Sequence, residues 1–200
     1  MRYTGSIYRK SRRLGFSLLE NNKEFNKGKQ RTTPPGQHGS KRVKLSNYGQ
    51  QLQEKQKLMY LYGLNDRQFR RFFIIAKKRH GATTLNLLQV LESRLDSLLY
   101  RAALAPTRRS ARQLITHGHV LVNGKKVNIP SIILNIGDVI TIAEKSKGLE
   151  IINNVNRAAA DFIKLNKDEK QAEYIRLPER NELPENVNES YVVEWFNRLL

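Results

Sequence analysis

There is no cysteine in this chain. That excludes disulfides, thiolate zinc sites and a cysteine nucleophile, and it fits a reducing compartment. Histidine is scarce: His38, His80, His117 and His119 are too scattered for a metal site, and His117-x-His119 alone is a weak ligand pair. No metal and no cofactor are expected. No apolar run approaches the roughly 18 residues of a membrane span, and no hydrophobic segment opens the chain. The patterns G-x-x-x-x-G-K-[ST], G-x-G-x-x-G, G-x-S-x-G and H-E-x-x-H are all missing. Acidic residues are few, 18 against 36 Lys and Arg, and most lie toward the C-terminus. Glu92 and Asp96 are four apart but sit among Arg94 and Arg101, where they read as carboxylates that position arginines. The chain therefore reads as a non-enzyme without a small-molecule substrate.

Positive charge is abundant. The formal net charge is +18 and the isoelectric point is near 10.3, a field that favours a polyanion such as nucleic acid or an anionic membrane surface. The charge is also segregated. Residues 1–47 carry 12 basic and 2 acidic side chains, whereas residues 148–200 carry 7 basic and 10 acidic ones. A merely soluble protein has no need of that asymmetry. The helices lack a wide apolar face flanked by lysine, so a membrane partner is not expected.

The most informative stretch runs from Thr107 to Ile129. Thr107 suits a helix N-cap. Ala111, Leu114 and Ile115 recur at i, i+3 and i+4 and predict one apolar face. Arg108 and Arg112 are four apart and share another face, with Arg109 beside them. Gly118 suits the left-handed residue that ends a helix. Val120-Leu121-Val122 and Val127 flank Asn123-Gly124, the strongest short signal for a two-residue hairpin. An ordinary solvated helix face is the competing reading of one arginine pair. Guanidinium forks on a rigid scaffold are also what phosphate recognition requires, and the basic composition favours that second reading.

Taken in order, residues 1–45 are basic and rich in turn formers, and the run from Lys27 to Gly39 has no apolar period. They read as an arm that orders on nucleic acid, with one helical turn at Arg9–Arg13. Ser46 caps a helix to about Tyr62 that stops at Gly63. Asn65 caps the next, with Phe69, Phe72, Phe73 and Ala76 on a core side and Arg67, Arg70, Arg71, Lys77 and Lys78 opposite. Ile74 falls among those cations. Thr83 caps a third helix predicted to reach Ala103. After the hairpin, Ile132-Ile133-Leu134 and Val139–Ile142, separated by Gly137-Asp138, complete a small antiparallel meander capped by helices. Residues 156–173 look helical and mixed in charge. Leu177–Pro184 reads as a rigid extended connector. Ser190–Leu200 forms an amphipathic end with Tyr191, Val192, Trp195 and Leu199 on one face.

Several stretches resemble the universal S-four family of the small ribosomal subunit. They are R-Y-T-G at Arg2–Gly5, R-R-L-G at Arg12–Gly15, L-Q-E-K-Q-K-L at Leu52–Leu58, Y-G-L-N-D-R-Q-F at Tyr62–Phe69, L-E-S-R-L-D at Leu91–Asp96, A-R-Q-L-I-T-H-G-H-V-L-V-N-G at Ala111–Gly124, and L-P-E-R at Leu177–Arg180. The resemblance spans nearly the whole chain. It implies an α+β protein: a mainly helical domain, with an inserted RNA-binding module of two helices plus an antiparallel β meander, and a basic N-terminal extension. The implied division is an arm over 1–45, a helical domain over 46–91 completed by about 180–200, the module over 92–150, and a mixed helical and extended connector over 151–179 that packs on the module. Because R-Y-T-G begins at Arg2, the N-terminus already belongs to the family domain, and a mitochondrial presequence is not expected despite the Arg-rich start.

The same resemblance implies a structural constituent of the ribosome, cytoplasmic in location. It would bind the 5′ domain of small-subunit ribosomal RNA early in assembly, at a multi-helix junction. It would contact ribosomal protein S-five, contribute with S-five and S-twelve to decoding accuracy, and help line the path by which mRNA enters. Arg94, Arg108, Arg109, Arg112, His117, His119, Asn123 and Lys125 match the positions that lie toward RNA. The other cations expected to bind RNA are Arg2, Arg9, Arg12, Arg13, Lys41, Arg42 and Lys44 in the arm, with Lys55, Lys57, Arg67, Arg70 and Arg71 in the helical domain. Alanine at Arg108, Arg109 and Arg112 is expected to weaken RNA binding and leave folding intact. Some family members carry an N-terminal zinc-binding cysteine cluster, which this chain lacks. The rivals are an RNA-modifying enzyme, which needs a catalytic domain the chain has no room for, and a free translational regulator using the same module.

Overall fold

The computed structural model describes residues 3–21, 25, 33–41, 44–155, 157–184 and 187–199. The chain folds into two compact units, one made of Met1–Thr84 with Pro184–Leu200 and the other of Leu85–Leu183. The fold class is α+β. No helix among the described residues is long and apolar enough to cross a membrane.

In the first unit, α1 spans Ile7–Leu14, α2 Asn47–Leu61, α3 Asp66–Lys77 and the C-terminal α8 Glu189–Leu199. The Ser46 hydroxyl accepts from Gly49 N at 3.2 Å and starts α2. Asn65 and Gln68 form a reciprocal capping box that starts α3, which satisfies two otherwise orphaned donors. The phenylalanine stripe is core: Phe69 and Phe73 are fully buried and Phe72 nearly so. Phe196 of α8 stacks on Phe73 at 4.5 Å and meets Phe69 edge-on at 5.3 Å. That residue was absent from the helix face read in the sequence, although it lies next to Trp195. Trp195 lies 4.8 Å from the Tyr48 ring, and Gln51 donates to the Glu194 carboxylate at 2.8 Å, so α8 is tied along α2. The arm is more structured than expected. Its helix is longer than one turn, and Ile7, Leu14 and Leu18 are buried. Ile7 and Leu14 are seven apart, a helical spacing, but the position between them on that face is the polar Ser11, so too few apolar residues mark the face.

The second unit contains α4 Thr83–Glu92, α5 Leu95–Arg101, α6 Arg108–Thr116 and the short α7 Glu150–Asn153. Its sheet is antiparallel throughout, in the order β2-β1-β3-β5-β4, with β1 Val120–Val122, β2 Lys125–Lys126, β3 Val139–Ile142, β4 Ile163–Asn166 and β5 Gln171–Tyr174. Leu98, Leu99, Leu114, Ile115, Val120, Ile140, Ile142, Phe162, Ala172 and Tyr174 belong to one buried cluster.

Three sequence expectations are corrected here. The helix expected over 83–103 breaks at Ser93-Arg94. Leu95 N donates to Ile132 O at 2.9 Å, Asp96 N to Pro130 O at 3.1 Å, and Leu134 N to Ser93 O at 2.8 Å. Arg94 is extended (φ −73°, ψ 143°) and bridges to Ile133, so a long-range pairing overrides local helix propensity. The same pairing leaves Ile132–Leu134 as one bridge in place of a strand. The described residues of the helix expected over 156–173, which are 157–173, are not helical: they contain the β4–β5 hairpin. Its turn is built by Asn166, whose side-chain oxygen accepts from Asp168 N at 3.2 Å, and by Lys170 at φ 50°. Alternating burial of Ala172 and Tyr174 carries the strand period that the charged residues between them obscured.

Candidate nucleic-acid interface

The basic helix α6 is fixed at both ends by local chemistry. Ser110 N donates to the Thr107 hydroxyl at 3.1 Å. At the other end His119 N bonds to Leu114 O at 3.0 Å and Gly118 N to Ile115 O at 2.9 Å, the paired bonds of a Schellman cap. Gly118 has φ +76°, a backbone conformation that side chains rarely adopt, and the end of the Lys126 side chain lies where its Cβ would be. The aliphatic stem of Lys126 therefore lies against the helix end and brings the exposed cations of β2 beside it.

The hairpin closes as its dipeptide predicts. Val122 pairs with Lys125, and Asn123 (φ 49°) and Gly124 (φ 76°) both take the positive φ of a type I′ turn. Asn123 also ties this turn to the next. It donates to the Asp138 carboxylate at 2.8 Å and accepts from Val139 N at 2.9 Å. Asn123→Ala should therefore cost about 1–2 kcal/mol, from a left-handed alanine and two lost bonds. A lower urea midpoint at unchanged m-value is the expected readout.

Beneath α6 lies a buried charge network. Glu92 is fully buried at the end of α4. Its carboxylate accepts from the Ser97 hydroxyl at 2.7 Å, from Arg101 Nη2 at 2.8 Å and from Arg108 Nη2 at 3.0 Å. Burial pushes the Glu92 carboxyl up, but the Arg101 and Arg108 guanidiniums and the Ser97 hydroxyl overcome that and hold it well below the ordinary carboxylate range. Asp96 receives Arg94 through Nε at 3.0 Å and Nη2 at 2.6 Å, and Arg112 Nη1 at 2.7 Å. Two carboxylates thus hold four arginines and leave the cluster net positive. The Tyr100 ring lies between two more contacts, Arg108 at 4.4 Å and Arg157 at 3.7 Å from its centroid. Sequence reading missed Arg157, which is 57 residues away and carries no local signal for this stacking. Glu92 and Asp96 do what their spacing suggested and position arginines.

The expected RNA-binding residues are distributed unevenly. In the second unit Arg109, His117 and Lys125 are exposed, and Arg112 and His119 are half-buried. The His119 ring meets the Ser146 hydroxyl at 2.7 Å. Arg94 has no exposed surface, and Arg108 is 8% exposed. The expectation that alanine at Arg108 leaves folding intact is corrected: this side chain neutralises a buried carboxylate. In the first unit Arg9, Arg13, Lys41 and Lys44 are exposed, Arg12 is half-buried, and Arg67, Arg70 and Arg71 form the exposed face of α3. Lys55 is buried, paired with Asp66 and 5.5 Å from the Trp195 ring centroid. Lys57 pairs with Glu54 at 2.6 Å. Arg2 and Arg42 lie outside the described residues. A set of cations read as one class in the sequence therefore separates into buried holders and exposed groups. For Arg108 it is a partner 16 residues away that distinguishes the two.

Comparison with known proteins matches residues 2–92 to the family described as "Ribosomal protein S4/S9 N-terminal domain" and residues 93–140 to the "S4 domain". A protein of Ureaplasma urealyticum is 70% identical over 200 residues, covering all of this chain and 99% of its own. One of Malacoplasma penetrans is 61% identical over 200 residues, again all of this chain and 99% of its own. One of Mycoplasma genitalium is 53% identical over 204 residues and is covered completely on both sides. Each is called "Small ribosomal subunit protein uS4".

Proposed function

This chain belongs to the uS4 family of small-subunit ribosomal proteins, structural RNA-binding proteins rather than enzymes, and on that premise we propose that it is a primary binder of the 5′ domain of small-subunit ribosomal RNA that nucleates assembly. In this reading it contacts ribosomal protein S-five, contributes with S-five and S-twelve to translational accuracy, and borders the path of entering mRNA. Its place is the cytoplasmic ribosome. The observation that carries the RNA reading is the sorting of cations. Arg94 and Arg108 are spent on Asp96 and Glu92, whereas Arg109, Lys125, Arg67, Arg70 and Arg71 keep exposed side chains on rigid elements. The major groove of double-helical RNA is too deep and narrow for side chains to read, so phosphates, 2′-hydroxyls and junction shape are the targets.

The working parts follow the chain. The module is 92–150, and the 151–179 segment supports it by pairing β5 against β3. The helical first unit presents the α3 face, and the basic residues before 46 add a further contact. Arg94 serves RNA indirectly, by fixing the Asp96 carboxylate that aims Arg112.

The test is filter binding of a 5′-domain transcript against an unrelated transcript of equal length. Tighter retention of the 5′ domain is expected. With Arg67, Arg70 and Arg71 all replaced by alanine, the log–log salt slope should fall by roughly 1 per lost phosphate contact. Equal retention of both transcripts contradicts the 5′-domain assignment, and an unchanged slope removes α3 from the interface.

A further inference from the structure

Within the first unit an open cleft of about 990 Å³ lies between α1 and the turn-rich segment 33–41. Arg9, Lys10, Arg12, Arg13 and Lys41 line it, and no Asp or Glu does among the described residues. Such a lining is unlike a small-molecule pocket, which is mostly apolar with a few polar groups. Gln37, Gln53, His38 and Tyr3 complete the polar part of the wall.

The wall is built rather than accidental. Gly39 N donates to Gly36 O at 3.2 Å, and Lys41 N to His38 O at 3.1 Å. The Pro34 carbonyl leaves no space for a Cβ at Gly39, so this turn closes only with glycine there. On the opposite side Lys10 Nζ is held 4.9 Å from the Tyr3 ring centroid and 5.2 Å from that of Tyr60. One cation of the set is thus fixed in direction before any ligand arrives.

We propose that this cleft seats an unpaired segment of RNA, its phosphates on the cations and its base edges on Gln37 and Gln53. The proposal rests on the RNA-binding reading above and adds to it the kind of RNA structure taken here. A duplex offers a convex surface whose readable minor groove is wide and shallow, and it is met by protruding side chains. A concave, acid-free cleft instead encloses one backbone, as positively charged grooves for single strands do. An unpaired strand also frees its Watson–Crick base edges, already paired inside a duplex, for amide groups. The Tyr3 ring is already engaged by Tyr60 edge-on at 5.8 Å and by Lys10, so hydrogen bonding rather than stacking is the grip assigned here.

Because the chain has no cysteine, Ser40→Cys, at an exposed position between the lining residues Gly39 and Lys41, gives one attachment point for a thiol-linked photo-crosslinker in the full-length protein and leaves Gln37 and Gln53 in place. The probe is the 5′-domain transcript, first alone and then in a reconstituted small subunit. Crosslinks at unpaired nucleotides are expected. Crosslinks confined to base-paired nucleotides overturn the proposal, as does label passing to another protein and not to RNA, which assigns the cleft to an acidic partner. Retention of the transcript without any crosslink also overturns it while leaving the general RNA-binding reading intact; loss of retention by the unmodified chain contradicts that reading itself. As a second measurement, Arg9→Gln with Arg13→Gln should lower the log–log salt slope for the transcript by roughly 1.4, at about 0.7 per single-strand contact. An unchanged slope overturns the proposal.

Discussion

Glu92→Gln should destabilise the second unit by about 3–5 kcal/mol, the usual consequence of removing one partner from a buried ion pair. The carboxylate is fully buried and is shared by Arg101 and Arg108. A glutamine fits the space and can still accept a hydrogen bond, but it leaves two guanidiniums without their counter-charge. The effect has a defined pH dependence. Burial raises the Glu92 carboxyl, but the two arginines lower it further, to well below its ordinary value of 4.5. As pH falls, the unfolded chain binds this proton before the folded one does. The ion pair's contribution is therefore complete above about pH 4.5 and drains away as pH falls toward the folded value. Urea unfolding of the two proteins should show a gap that is constant near neutrality and narrows below about pH 4.5. A gap that is absent at pH 7, or that widens in acid, contradicts the assignment of Glu92 as the anchor of these arginines.

RNA affinity should fall by roughly 10³–10⁵ between 50 and 200 mM salt if the protein neutralises about 6–10 phosphates, scaling from duplex behaviour. The structure makes this effect separable from stability. Lys125 is exposed on a two-residue strand, so Lys125→Ala should change folding stability by less than about 0.5 kcal/mol while lowering the salt slope by roughly 1. Arg108→Ala should behave in the opposite way. It would weaken folding through Glu92 and affect RNA only as far as α6 shifts. A filter-binding titration paired with a urea melt on each variant separates the two classes. Equal behaviour of both variants contradicts the division into exposed and holding cations.

The elements legible in the sequence were those specified by neighbours in the chain. Ser46, Asn65 and Thr107 cap helices because the donors they satisfy are three residues away, and Asn123-Gly124 turns the hairpin by its own backbone preference. The break at Ser93-Arg94 was hidden because it depends on residues 130–134. The β4–β5 hairpin was hidden because Lys164, Lys167, Asp168, Glu169 and Glu173 mask a period of two with a helix-like mixture of charges. The candidate interface divides in the same way. The basic face of α3 follows from its 3.6-residue period. Nothing local separates Arg108 from Arg109, since only the fold brings Glu92 to one and leaves the other exposed.

The most direct test of the central claim, that exposed cations on rigid helices and a hairpin hold this chain on small-subunit RNA, is sedimentation of a cell extract in moderate salt. The chain should travel with the small ribosomal subunit and be released as ionic strength rises. A chain that stays at the top of the gradient at every salt concentration would contradict the account.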